Sequence, residues 1–316
     1  MKKNIKHFLF LTALSAGALH VTNRFIDMRA CMKNLLSTDG GDFYKWKNGD
    51  IYYSKSGSGN PILLVHDLDP ASSSYEWCKL LKKLEKKHTV YTIDLLGCGR
   101  SEKPYLTYTN YLYVQLLLDF IKNVIKEKTT VVATGSSVPF TIMAANMESE
   151  QFEKLIFINP QSLQACDRTP ERMTRIQKCL LELPIVGTFA YNMMMSHCTI
   201  DENFRNTYFA RPQLISSKLE DLYFESAHAN QSHGKYLLAS ILGNYTTISI
   251  KHVLSKLDVP VMLIGGRNCK DSASILESYV HYNSSFETVT LSNCKMLPQL
   301  ETPDRILAIL DSVLNE

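Results

Sequence analysis

The chain has 316 residues, 34 basic and 31 acidic side chains and a net charge of +3; 45% of it is hydrophobic and 21% charged. This is ordinary globular composition, long enough for one large domain or two small ones, and it excludes disorder, collagen and coiled-coil arrays. The near balance of charge gives no electrostatic case for nucleic-acid binding. Eight cysteines, none at C-x-x-C spacing, argue against a structural zinc or thioredoxin motif and read as reduced core thiols.

At the N-terminus, Lys2, Lys3 and Lys6 precede an apolar stretch from Phe8 to Val21. A basic flank followed by an apolar run predicts a signal sequence or membrane anchor within residues 1–30, although the run is short for a full span. Ala16-Gly17-Ala18 fits a cleavage site. The pattern also continues helically through Val21, Phe25, Ile26 and Met28, as an anchor helix or a helix packed on the domain would. Arg24, Arg29 and Lys33 follow the run, so basic residues flank both ends and leave orientation open. The expected location is membrane-anchored or exported, with cytoplasmic as the alternative.

Further along, Phe43–Trp46 and Ile51–Ser56 read as strands joined by Lys47-Asn48-Gly49-Asp50, and Asn-Gly between such runs signals a hairpin. Ile62–His66 is a continuous apolar run, as expected of a strand buried on both faces. Ser74–Lys87 has helical spacing, Thr89–Asp94 is a second buried strand, and Thr107–Lys126 reads as a long helix. Thr130–Thr134 (strand), Pro139–Met147 (helix) and Leu155–Asn159 (strand) follow. Such alternation predicts a mostly parallel, eight-stranded sheet with helices on both faces. The next comparable strand is Val259–Ile264. About 99 residues intervene, too many for a loop. With helical patterns at Thr169–Leu181, Leu214–His228 and Lys235–Leu242, that stretch predicts a helical cap over residues 161–239, set into a core of residues 40–160 and 240–316. Ala273–His281 (helix), Phe286–Leu291 (strand) and Thr302–Leu314 (helix) close the chain.

Four segments carry a resemblance. They are Gly57-Ser58-Gly59-Asn60-Pro61 before Ile62–His66, Asp94-Leu95-Leu96-Gly97-Cys98-Gly99-Arg100-Ser101, Val261-Met262-Leu263-Ile264-Gly265-Gly266, and Leu297-Pro298-Gln299-Leu300-Glu301-Thr302-Pro303. In this order and spacing they resemble the α/β-hydrolase superfamily from about Phe43 to Leu314. The resemblance implies the α/β-hydrolase fold with its cap. It also implies a hydrolase of ester- or amide-type bonds acting on a small-molecule substrate, with a nucleophile on a sharp strand-to-helix turn, an acid and a histidine.

The site positions depart from that pattern. The turn reads Ala133-Thr134-Gly135-Ser136-Ser137-Val138-Pro139. In one register its apex is Gly135, which takes a positive φ freely but carries no nucleophile. In the other it is Ser137, flanked by Gly135 and Pro139. Counting without gaps from Phe120 favours the first. Ser136 and Ser137 also suit a helix N-cap. Met296 stands where the resemblance places the histidine, and methionine has no basic nitrogen. His66 belongs to the oxyanion loop, His228 and His233 to the cap, and His281 precedes the last strand. The acid position falls at Cys269, two residues short of Asp271. In the oxyanion loop (His66, Asp67 and, across the turn, Ser136), Asp67 replaces the usual glycine and would oppose a developing oxyanion.

Two functions follow as expectations. One is an active hydrolase with Ser137 as nucleophile, Asp271 as acid and a displaced base. The other is a non-catalytic pseudo-hydrolase, with Gly135, Cys269 and Met296 at emptied triad positions, binding a small apolar ligand or a protein partner. Plant hormone receptors of this fold that have lost triad residues bind ligand beneath a lid. Met193-Met194-Met195, Tyr191, Phe209, Tyr223 and Phe224 make the cap rich in methionine and aromatic residues, which suits an acyl pocket or ordinary packing. No P-loop, Gly-x-Gly-x-x-Gly, His-Glu-x-x-His or metal-spaced cluster occurs, so no cofactor or metal is expected.

Overall fold

The computed structural model describes residues 2–37 and 40–315. The side chains of the basic flank, Lys2, Lys3 and Lys6, lie outside what is described. Eight strands form one sheet: β1 (Gly41–Trp46), β2 (Gly49–Gly57), β3 (Pro61–Val65), β4 (Thr89–Ile93), β5 (Thr129–Thr134), β6 (Phe152–Ile158), β7 (Val261–Gly266) and β8 (Glu287–Leu291). Their spatial order is β1-β2-β4-β3-β5-β6-β7-β8. β1 and β2 are an antiparallel hairpin with Trp46 opposite Gly49, β2 is antiparallel to β4, and the remaining pairs are parallel.

The apolar runs of β3, β5 and β7 are buried along their whole length. Successive side chains of a strand point to opposite faces, so each run feeds two cores. Leu63, Val65, Val131, Ala133, Leu155 and Phe157 face one side, where Leu116, Leu117, Phe120 and Phe140 cover them. Ile62, Leu64, Val132, Ile156, Ile158 and Ile264 face the other, against Trp77, Leu80, Leu84, Ile306 and Leu310.

Fourteen α-helices complete the described chain. α1 (Lys2–Ala30) precedes the sheet. α2 (Cys78–Leu84) and α14 (Pro303–Asn315) cover one face; α3 (Asn110–Phe120) and α4 (Val138–Met147) cover the other. The helix expected at Thr107–Lys126 is shorter: Thr109 caps it by accepting the Leu112 amide at 3.3 Å, and beyond Phe120 it widens into a π-turn, Ile121–Ile125. Between β6 and β7 lie α5 (Leu163–Cys166), α6 (Arg172–Glu182), α7 (Ile185–Met194), α8 (His197–Asn203), α9 (Ser217–Ser232), α10 (Gly234–Leu242) and α11 (Lys251–Leu254). α7 and α8 have no counterpart in the sequence reading. α12 (Ser272–Tyr282) and α13 (Pro298–Glu301) flank β8.

The inserted helices share a third core, in which Tyr191, Phe204, Phe209, Tyr223 and Leu238 meet Leu297 and Leu300 of the core's last loop. The last turn of α9 is broken. Ala229 is extended, and Asn230, Gln231 and Ser232 all have φ near +57° (56°, 58° and 58°), a short left-handed stretch rare outside glycine. All eight thiols are free; Cys98, Cys166 and Cys294 are buried, whereas Cys31, Cys179 and Cys198 are exposed, so the eight are not uniformly core residues.

Candidate active site

β5 ends at Thr134, and the chain turns sharply into a helical segment through Gly135, whose φ is +58°. The apex of the turn is therefore Gly135. Ser137 lies two residues on, in the first turn before α4. Its buried hydroxyl donates to the His66 carbonyl at 2.5 Å, and Thr141 donates to the Ser137 carbonyl at 2.8 Å. The Ser137 side chain thus ties the turn to the end of β3 and is not among the residues lining the nearby cavity.

Asp67 fills the space above Gly135. An ideal Cβ built on Gly135 would lie 2.4 Å from Asp67 Oδ1 and 2.8 Å from Oδ2. A carboxylate from the β3 loop therefore stands where the side chain of an apex residue would begin. Asp67 Oδ1 accepts the Ser136 amide at 2.7 Å and the Leu68 amide at 2.8 Å. These are the amide after the apex and an amide of the β3 loop, the pair that converges on a developing oxyanion in a catalytic site of this design. Here both are already committed. Hydrogen bonds to a charged group contribute roughly 1.5–3 kcal/mol each, so displacing the carboxylate is costly.

Burial raises the proton affinity of the acids grouped here. Burial pushes the Asp67 carboxyl up, against the opposing pull of the Ser136 and Leu68 amides. Glu76 is fully buried behind it, accepts the Asp67 amide at 3.4 Å and the Tyr223 hydroxyl at 3.0 Å, and is pushed up to about 8 by burial and by the Asp67 charge. Asp69 is raised to about 6, chiefly by burial.

His66 is fully buried and is not placed as a base. Its Nε2 accepts the Leu95 amide at 3.0 Å, which leaves Nδ1 to donate to the Asp67 carbonyl at 2.6 Å; burial pushes it down to about 4. His228 is buried in the inserted helices, donates from Nδ1 to the Phe224 carbonyl at 2.8 Å, and is also lowered to about 4 by burial. His233 and His281 are exposed.

A cavity of about 190 Å³ opens over the turn. Asp67, Gly135 and Ser136 are among its walls, with Asn159, Cys269 and Met296 opposite and Ile275 and Leu276 supplying apolar surface. Among the described residues no imidazole lines it. Gly135, Cys269 and Met296 are therefore brought together. Asp271 is exposed, takes φ +57° before α12, and is not in the lining. Burial pushes the Cys269 thiol up to about 12, so it is not a ready nucleophile. A second cavity of about 360 Å³, lined by Arg168, Thr174, Gln177 and Asn244, shares Ser136 and Gln161 with the first.

One organising residue escaped the sequence reading. Asn159, at the end of β6 with φ +46°, accepts the Gly266 amide at 2.7 Å and donates to the carbonyls of Lys295 (2.9 Å) and Met296 (3.1 Å). It holds the ends of β6 and β7 and the Met296 loop in one place. Its positive φ suits asparagine, but an asparagine closing a strand is a common turn signal and carries no further sign.

The Alpha/beta hydrolase family model matches residues 62–309. The chain belongs to the α/β-hydrolase family. It is 29% identical over 133 residues to a haloalkane dehalogenase of Agrobacterium fabrum, covering 40% of this chain and 42% of that protein. It is 23% identical over 279 residues to a proline iminopeptidase of Heyndrickxia coagulans, covering 83% and 93%. The chain thus spans less than half the length of the first curated relatives it matches. Among solved structures, a bromoperoxidase from Bacillus anthracis superposes with a TM-score of 0.69 at 17% identity, over 88% of this chain and 100% of that one. A bacterial membrane phospholipase A gives 0.68 at 20% identity, over 100% of both chains. At these identities the structures speak for the fold alone.

Proposed function

We propose that this member of the hydrolase family binds a small ligand over Gly135 and does not cleave acyl bonds through a serine. The observation that carries the reading is the Asp67 carboxylate, which engages the Ser136 amide at 2.7 Å and occupies the apex position. An ester carbonyl entering here meets an acceptor where it needs donors. The cavity floor instead favours a ligand that donates a hydrogen bond and carries an apolar body against Ile275, Leu276 and Met296. Small-molecule relatives such as the dehalogenase and the soluble epoxide hydrolase of a Corynebacterium support a ligand of this size.

The test uses the purified full chain. Fluorophosphonate labelling should be absent, and n-butylamine should raise the melting temperature where butyrate does not. Asp67→Asn should remove that response. Labelling that is lost in Ser137→Ala would overturn the reading, as would stabilisation by butyrate in preference to the amine.

The same carboxylate supports a second reading, in which Asp67 is itself the nucleophile. Its second oxygen would attack an electrophilic carbon, form an alkyl ester and expel a halide. Release would then need water without an imidazole in the lining, so the ester should accumulate. Mass spectrometry after incubation with 1-bromobutane decides: an added butyl group on Asp67, absent in Asp67→Asn, selects this reading.

A further inference from the structure

α1 is turned inside out relative to an ordinary surface helix. At 3.6 residues per turn, Phe10, Leu14, Val21, Phe25 and Met28 fall on one stripe, and Asn23, Ile26, Asp27 and Ala30 fall on the opposite one. The apolar stripe is exposed, with Phe10 and Val21 at 67% and Phe25 at 55%, whereas Asn23, Asp27 and Ala30 are buried. The inward face is held by polar bonds: Asn23 donates to the Ile185 carbonyl at 3.0 Å, Asn192 donates to Asn23 at 3.1 Å, and Ser232 is hydrogen-bonded to Asp27. The protein thus uses the polar face of α1 to dock on α7 and α9, and points the apolar face away from its own body.

Further apolar side chains are exposed on the inserted helices. Met173, Ile176 and Leu180 of α6 are exposed at helical spacing, and Val186 and Met193 of α7 are exposed beside the α1 contact. α1, α6, α7 and the turns at their ends hold most of the large apolar side chains that the described protein exposes, which marks an interaction face.

The charges choose the occupant. Arg24 and Arg29 are exposed on opposite flanks of the α1 stripe, and Asp27, the one acidic residue of that helix, faces inward. A second copy laid stripe to stripe would bring like charges together, whereas an anionic lipid surface complements both flanks. Beside the stripe, a recess of about 210 Å³ is lined by His20, Arg24, His233 and Lys235, together with the Asp27 already bonded to Ser232. No described helix is long and apolar enough to cross a membrane.

We infer that α1, with the exposed edges of α6 and α7, seats the protein on an anionic bilayer surface, α1 lying in the interface. This rests on α1 and its neighbours and is independent of the chemistry over Gly135. The test is sedimentation of the full chain with vesicles of phosphatidylcholine alone and of phosphatidylcholine mixed with phosphatidylglycerol. Binding should be roughly tenfold or more stronger with phosphatidylglycerol and should fall with added salt. Phe25→Ser with Met28→Ser, and separately Arg24→Ser with Arg29→Ser, should each weaken it about tenfold with an unchanged melting temperature, since all four side chains are exposed. Equal binding to both vesicles, or none, overturns the inference. So does an apolar-face variant that splits an oligomer in sedimentation velocity yet binds vesicles as before, because a second copy then covers the stripe.

Discussion

Asp67 and Ser136 face each other from the ends of β3 and β5, and the 2.7 Å bond between the carboxylate of one and the amide of the other closes the turn at Gly135. The two strands are neighbours in the sheet, so the bond spans only the gap between their exits. It makes the glycine a requirement. A methyl group on Gly135 would meet Asp67 Oδ1 at 2.4 Å and would also sit at a φ of +58°. Gly135→Ala should therefore lower stability by roughly 2 kcal/mol or more. Combining it with Asp67→Gly should relieve the collision, so the pair should cost less than the sum of the two single changes. Urea unfolding of the single and double variants measures the coupling; strict additivity would mean that the two residues do not contend for one space.

Glu76 sets a pH dependence. Its folded pKa, about 8, lies above its unfolded value of 4.5, so the folded state holds a proton that the unfolded state releases in this window. The stabilisation is complete below about pH 4.5 and is lost as pH rises through 8, with a ceiling of a few kcal/mol. The melting temperature should fall between pH 5.5 and 8.5. Glu76→Gln, which keeps a neutral group of the same shape, should flatten that slope; an unchanged slope would place the titration elsewhere.

Ser137→Ala should cost about 1 kcal/mol, the ordinary value of one buried hydrogen bond, here to the His66 carbonyl. It should leave the response to n-butylamine intact, because the hydroxyl points away from the cavity lining. Calorimetric unfolding and the thermal shift report the two quantities separately.

Asn159→Asp should be more damaging than its size suggests. A carboxylate keeps the acceptor for the Gly266 amide but turns oxygen toward the carbonyls of Lys295 and Met296. A loss of roughly 2–4 kcal/mol is expected, together with a weaker ligand response as the Met296 wall moves. Denaturant midpoints compared with Asn159→Ser, which keeps a donor, check the assignment.

The sheet was legible because Ile62–Val65 and Val131–Ala133 are apolar at every position, and only a strand buried on both faces tolerates that. The turn was half legible. Gly135, Ser136 and Ser137 are all small, and nothing local says which of them ends the strand; the sheet register with β6 decides it. Asp67 was legible as a carboxylate in a loop that favours glycine, but its landing on the apex depends on how far the β3 loop reaches. α7 was missed because Pro184 and Gly187 interrupt its pattern, although Pro184 serves as the helix N-cap and Gly187 packs closely against the Leu181 carbonyl. The periodicity of α1 was visible, but the direction of its apolar stripe is a tertiary fact: only the partners of Asn23 and Asp27 reveal which side is in.

The left-handed stretch Asn230–Ser232 joins α9 to α10 and is tied to α1 and α7. Three such residues in a row cost on the order of 1–2 kcal/mol each, and the Ser232 hydroxyl is gripped by Asp27 of α1 and by Asn192. A chain shortened by its first thirty residues would lose that grip and let the joint between α9 and α10 rewind. Removing α1 would therefore release a strained joint within the inserted helices, and a fragment so shortened would carry a different arrangement of α9 and α10.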